Sequence, residues 1–180
     1  MKLDLGCGKN KKRNFTGIDV FNFPGVDYVI DLKKGKLPFK NDEVDEIYSN
    51  HFFEHLTIDE IVELMKEIFR VCKNSAKIEI HVPHFSGDSN FYEFHKTSFR
   101  YNSFREFTSG SGMFVADARF RRIKTKIHFS RGIYFWNYLV EPIVNFWKVP
   151  IVYEKTCLRN LFPAFEVEFA FKVIKKVRKK

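Results

Sequence analysis

The sequence predicts an open α/β sheet folded as one domain over residues 1–180, and three observations carry that prediction. Short apolar runs alternate with connectors through the first half of the chain. Glycines and acids gather at the ends of those runs, where sheets of this class place their ligands. A chain of 180 residues is large enough to bury one core, and no repeat or long linker divides it.

The elements follow in order. Residues 2–5 read as a first strand ending at Gly6, residues 15–20 as a second, and residues 26–30 as a third closed by Asp31. A fourth strand spans 44–49 after a turn at 40–42. Thr57 and Glu60 have the spacing of a capping box, and Ile61, Leu64, Met65, Ile68, Phe69 and Cys72 continue it as one helical stripe. Residues 76–82 form a fifth strand, ended by Pro83. From 84 to 117 the pattern is irregular and polar-aromatic, with a short helix at 103–107 and a turn at 109–112. Residues 120–129 read as a strand with Ile123, Thr125, Ile127 and Phe129 on one face. Residues 165–174 alternate as a last strand through Phe165, Val167, Phe169, Phe171 and Val173. Early crossovers followed by longer connections fit an open sheet.

Bulk composition narrows the chemistry. The net charge of +9 suits phosphorylated, nucleic-acid or anionic-membrane partners, and the cations cluster at 9–13, 33–36, 119–126 and 172–180. Three widely separated cysteines form no disulfide framework, which predicts a reducing, cytoplasmic compartment. The sequence opens on a strand-like run rather than a signal peptide. Residues 133–152 are apolar enough to raise a membrane span, but Glu141, Asn137, Asn145, Lys148, Pro142 and Pro150 interrupt them, so a buried or interfacial helix pair is expected.

Four strand-end features carry the chemistry. The run Leu3-Asp-Leu-Gly-Cys-Gly8 turns a strand into a Gly-x-Gly loop, which lets a ligand lie against the backbone. Lys11 stands where a dinucleotide fingerprint needs its third glycine, and no P-loop is present. Asp19 ends the second strand, where a carboxylate accepts hydrogen bonds from ribose hydroxyls in nucleoside-binding sheets. Asp31 ends the third, ahead of Leu37-Pro-Phe39, an acid and an apolar loop suited to an adenine edge and face. The stretch Ser49-Asn-His-Phe-Phe-Glu-His55 ends the fourth.

In this order the pieces resemble the class I S-adenosylmethionine (SAM) dependent methyltransferases, in the small methyltransferase-domain group called type 11. The matching residues are the glycine loop, Ile18-Asp19, Asp31-Leu32 with Leu37-Pro-Phe39, the turn Asn41-Asp42 before Val44-Asp-Glu-Ile47, and His51 to Leu56. The resemblance covers residues 1 to about 83 well and the last strand loosely. It implies a Rossmann-like open sheet, mostly parallel with an antiparallel last strand, and aromatic insertions. It also implies SAM as cofactor: Gly6 and Gly8 under the methionine part, Asp4 ordering the loop, Asp19 on the ribose, and Asp31 with the Leu32 backbone by the adenine amino group. Leu37 and Phe39 would line the adenine pocket, and Asn50 and His51 would approach the sulfonium. Residues 1–83 then form the SAM-binding half, 84–117 the acceptor-side insertion, and 118–180 the last strands with an apolar insertion at 131–163. Only ten residues separate Gly8 from Asp19, so the helix that usually follows the glycine loop is expected to be very short or absent, exposing one flank that a second subunit, as in a homo-oligomer, would cover.

For a catalytic base the candidates are His51, His55 and His84, with Glu54, Asp88 and His95 nearby in sequence. His81, His84 and His95 lack metal-ligand spacing and an acidic partner cluster, so no metal is expected. Asn50-His-Phe-Phe53 is not the Pro-Pro motif of methyltransferases acting on base amino groups. The expected acceptor is a small molecule, a glycan or a lipid-linked compound, with peripheral membrane contact through 133–152 and the basic tail. An RNA or protein acceptor, or a non-catalytic SAM-binding interaction domain, stands as the alternative, nucleic acid remaining in play on charge alone.

Overall fold

A computed structural model describes residues 1–108, 119–132 and 134–175. The turn expected at 109–112, residue 133 of the apolar insertion and the last five residues of the basic tail lie outside the described residues.

Seven strands form one sheet in the order β3-β2-β1-β4-β5-β7-β6. They are β1 (Lys2–Leu5), β2 (Thr16–Asp19), β3 (Tyr28–Val29), β4 (Val44–Asn50), β5 (Cys72–Pro83), β6 (Phe120–His128) and β7 (Glu166–Val173). The pairs among β1 to β5 are parallel, and β7 runs antiparallel between β5 and β6. Strand order therefore turns back at β1 and β4, the switch point beside which such sheets hold ligands.

The crossovers differ in kind. Between β4 and β5 lies helix α1 (Ile58–Val71), started by the capping box of Thr57 and Glu60 and burying Ile61, Leu64, Met65 and Ile68. Between β1 and β2, and between β2 and β3, no helix forms among the described residues. The glycine loop is held instead by Gly6 N–H to the Ile18 carbonyl (2.8 Å) and Lys12 N–H to the Asp4 carboxylate (2.7 Å). Helix α1 passes directly into β5, which begins at Cys72 rather than at 76, because Val44 pairs with Cys72 and a register shift between Val44 and Glu46 absorbs the extra residues.

Cross-strand register sorts side chains onto two faces. Leu3, Ile47, Ile78 and Phe171 align across four strands, and Phe169 and Phe171 stack at 6.1 Å on the side of α1. Phe104 packs against both, at 4.9 and 5.5 Å, and α2 (Arg105–Thr108) adds Phe107. The other face presents Tyr48, Glu79, His81, Glu166, Glu168, Lys124 and Lys126. The expected apolar face of β6 holds at Ile127 but not at Ile123, which is 54% exposed, because a register shift between Arg122 and Lys124 turns it outward.

The apolar insertion forms α3 (Asn137–Val144), α4 (Val149–Lys155) and α5 (Leu158–Leu161), the expected helix pair and one further turn. None of the described helices is long and apolar enough to cross a membrane. Helix α3 is polar on its inner side. Asn145, just past its end, exchanges two hydrogen bonds with the Ile127 backbone (2.8 and 2.7 Å), and Glu141 pairs with Lys126 at 2.8 Å. Asn137 donates to the Ser130 carbonyl at 2.6 Å. These residues are four apart and share one face, which leaves Leu139, Ile143, Phe146 and Trp147 exposed on the other.

Candidate active site

The glycine loop and the end of β2 form one hydrogen-bonded unit. The Asp19 carboxylate accepts from Gly8 N–H (2.9 Å) through one oxygen and from Phe21 N–H (3.0 Å) through the other. Each oxygen keeps a lone pair for a further donor. Gly6 sits at φ +67°, and a Cβ there would meet Phe52 Cγ at 2.4 Å, so the aromatic ring closes against the loop only because residue 6 is glycine. Asp4 is buried beneath the loop, where burial pushes its carboxyl up while the Lys12 amide draws it down. Burial pushes the Cys7 thiol up to about 11, so it is no nucleophile at neutral pH.

Over this unit opens a cavity of about 450 Å³, within the range of small-molecule sites. Of the residues singled out from the sequence, Gly6, Gly8, Asp19, Asp31 and Leu32 line it. Val20, Phe21, Phe23 and Ile30 supply its apolar wall, and His51, Phe52, His55, Phe94 and Lys96 its far end. Leu37 and Phe39, expected in that wall, belong to the core: Arg70 Nη2 donates to both their carbonyls, at 3.1 and 2.9 Å, and turns the segment under the sheet edge. Asn50 is also outside the cavity, exposed where strand alternation turns it from buried Ser49.

The three histidine candidates separate. His51 adopts φ +51°, uncommon for a non-glycine residue, and swings its ring between two carboxylates. Its Nδ1 lies 3.2 Å from Glu54 and its Nε2 3.3 Å from Glu166. The hydrogen bonds to Glu166 and then Glu54, against burial, raise its pKa to about 9. It is an imidazolium at neutral pH, a cation rather than a base. His84 is fully buried, with Nδ1 on Ser86 (2.9 Å) and Nε2 on Glu154 (3.1 Å), and it lines no part of the cavity. Both its ring nitrogens are thus engaged within the fold. His55 lines the cavity, with Nδ1 3.4 Å from the Phe94 carbonyl and Nε2 left as the basic nitrogen.

Glu166 is the residue the sequence reading missed. Burial opposes its charge, yet hydrogen bonds to His51 and His81 take its carboxyl down to about 2. His81 lies 2.8 Å from Glu166 and 3.0 Å from Glu79, so His81, His84 and His95 do not converge. The signal for Glu166 is the first of two acids, Glu166 and Glu168, in the last apolar alternation, legible only once β7 is known to pair with β5.

A second cavity, of about 350 Å³, lies beside the first. Asp88, Ser89, Ser130 and Asn137 supply polar groups, and Tyr134, Trp136 and Phe165 aromatic faces. Phe165 also packs on the His51 ring at 6.1 Å, so the two cavities share a wall.

Residues 3–80 match a family described as the methyltransferase domain. No curated protein sequence matches the chain. Among solved structures, a SAM-dependent methyltransferase from Archaeoglobus fulgidus is 19% identical with a TM-score of 0.56, over 95% of this chain and 85% of its own. A Haloferax volcanii methyltransferase, in complex with the Trm112 methyltransferase activator, is 15% identical with a TM-score of 0.56, over 97% and 82%. Phosphoethanolamine N-methyltransferase 2 of Haemonchus contortus, bound to SAM, is 14% identical with a TM-score of 0.55, over 97% and 48%.

Proposed function

We propose that this chain, a SAM-dependent methyltransferase by the family of its residues 3–80, transfers the methyl group to a glycan or small polar acceptor, carried on a lipid at an anionic membrane surface. The residues around the main cavity suit SAM. The free lone pairs of Asp19 would take the two ribose hydroxyls, and Asp31 with the Leu32 backbone the adenine amino group. Val20, Phe21, Phe23 and Ile30 would cover the adenine faces, while Gly6 and Gly8 let the methionine portion pass close to the chain. When bound, SAM supplies an electrophilic methyl on a sulfonium, and the chain's own task is to align an acceptor with it and to exclude water.

The observation that carries the acceptor class is the second cavity, which the contact of His51 with Phe165 sets next to the first. Aromatic faces beside short polar side chains suit a sugar ring, whose C–H face stacks while its hydroxyls hydrogen-bond. His55 is the candidate that keeps a basic nitrogen at the cavity wall, for an acceptor that must lose a proton.

The lipid part of the reading rests on the inverted polarity of α3. Its inner face is Asn137, Glu141 and Asn145, and its outer face, with the segments beside it, is Phe135, Leu139, Ile143, Phe146 and Trp147. Arg131 and Lys148 flank that apolar face, with Arg131 over the Tyr138 ring at 4.9 Å and Lys148 over Trp147 at 4.8 Å. Cations beside Trp and Tyr around an apolar surface suit an anionic interface. Lys124 and Lys126 of β6 fit an RNA backbone less well, because Lys124 is neutralised by Glu168 at 2.7 Å and Lys126 by Glu141 at 2.8 Å. The test incubates the protein with methyl-labelled SAM, anionic vesicles and extracted lipid-linked saccharides. Label is expected in the lipid fraction and lost in Trp147→Glu. Label in RNA or protein instead, or equal activity without vesicles, overturns the acceptor reading.

A further inference from the structure

Beside His55, behind the far wall of the main cavity, lie two buried polar atoms without hydrogen-bond partners among the described residues. Glu54 is 1% exposed, and its Oε2 has no partner. His95 Nδ1 is likewise buried and unsatisfied. Leaving such atoms unpaired costs roughly 1–3 kcal/mol each, more for a charged group, so their persistence side by side calls for a ligand. His55 completes the set: one ligand atom from each of Glu54, His55 and His95 lies within 4.8 Å of the others. The two imidazoles meet edge to face at 4.9 Å.

Two of the three are also oriented through their other polar atom. Glu54 Oε1 is held by His51 Nδ1 at 3.2 Å, and His55 Nδ1 faces the Phe94 carbonyl at 3.4 Å. Backbone ties fix the loop of His95 against the turn of Glu54 and His55 (Phe53–His55): Lys96 and Thr97 N–H donate to the Glu54 carbonyl at 2.8 and 3.2 Å, and Thr97 Oγ1 to the Leu56 carbonyl at 2.7 Å. Free ligand atoms on one side and hydrogen-bonded partners on the other are how metal-binding histidines and carboxylates are arranged.

We propose that Glu54, His55 and His95 bind a divalent transition-metal ion at the wall of the main cavity. Two neutral imidazoles and one carboxylate suit Zn²⁺ or Fe²⁺, and three protein ligands leave a coordination position open. Metal bonds of ~2.0–2.2 Å at tetrahedral angles put ligand atoms about 3.3–3.6 Å apart, and the three ligand atoms here lie within 4.8 Å of one another. The ion acts on the acceptor, a use that rests on the methyltransferase reading, while its binding does not. An acceptor hydroxyl on the open position gives its proton to water. The oxygen's electron pair then forms the bond to the methyl carbon as the carbon–sulfur bond breaks and leaves its pair on sulfur. His55 is then a ligand, and the ion replaces it as the group that makes the acceptor nucleophilic.

The test is calorimetric titration of tag-free, chelator-dialysed protein with Zn²⁺, and with Co²⁺ for its visible spectrum. One ion per chain is expected. Glu54→Gln, which preserves size, and His95→Ala, on a loop, should each weaken it at least about a hundredfold, and His51→Asn by about 10–100-fold, the usual cost of a lost orienting partner. Circular dichroism and SAM titration report whether each variant folds. A folded wild type that takes up neither ion overturns the site, as does uptake unchanged in both Glu54→Gln and His95→Ala. SAM binding without metal binding overturns this site alone, and metal binding without SAM binding overturns the cofactor reading alone.

Discussion

On one face of the sheet, Ile47, Ile78, Ile80, Phe169 and Phe171 are sealed under α1, Phe104 and Phe107. On the other, Lys12 reaches Glu79, His81 reaches Glu79 and Glu166, and Lys124 and His128 share Glu168. The same strands supply both faces, so the alternation of period two builds an apolar core and a lattice of ion pairs from one stretch of chain. The covered face is held by burial, which is insensitive to pH and salt. The open face is satisfied by charge pairs, mostly buried at Glu166, His81 and Glu168 and exposed at its margin, where Lys12–Glu79 contributes little. His51 stands where the two meet, paired with buried Glu54 on one side and with Glu166 on the other, and the far end of the cavity is organised there.

The largest effect is expected at the sealed face. Phe104→Ala opens a void among Phe53, Phe99, Phe169 and Phe171 and should destabilise the protein by about 3–5 kcal/mol in urea unfolding. A loss under about 1 kcal/mol would show that the aromatic cluster is not the core. Next comes the glycine loop. Gly6→Ala forces a β-carbon against Phe52 in a left-handed conformation costing roughly 1–2 kcal/mol, and should weaken SAM binding as well. Phe52→Ala in that background should recover the part due to the clash but not the backbone strain.

The open face responds to pH. Glu166 is held down to about 2 from 4.5, so its stabilising contribution is complete above 4.5 and is lost as pH falls toward 2. His81 is raised from 6.5 by Glu166 and Glu79, against burial, so its contribution is complete below 6.5 and fades as pH rises above it. Urea midpoints measured across pH should show both limbs, and Glu166→Gln should flatten both. An unaltered profile would place the pH dependence elsewhere. The smallest effect belongs to a peripheral pair: Glu79→Gln should change stability by less than about 1 kcal/mol, and less still at high salt.

The sequence made the cofactor end legible because its chemistry is local. Gly6, Gly8, Asp19, Asp31 and Leu32 each stand at or just past a strand end, and parallel pairing of β1, β2 and β3 brings those ends together. The missing helix after the glycine loop was legible from chain length alone. What was not legible depends on distant pairing. Phe94 and Lys96 reach the cavity from the loop after β5, and Glu166 reaches His81 across 85 residues. His84 resembled a catalytic residue because nothing near it in sequence shows that Glu154, on α4, takes its Nε2. Ile123 failed because a β-bulge leaves no mark in apolar alternation.

A SAM site over the glycine loop would be organised by Asp19. Calorimetric titration of the wild type and of Asp19→Ala with SAM, and with its demethylated product, tests it most directly. Two charge-assisted hydrogen bonds at roughly 1.5–3 kcal/mol each predict wild-type binding weakened at least about a hundredfold in the variant. Absence of binding to either ligand by the folded wild type, or equal binding by the two proteins, would contradict the account.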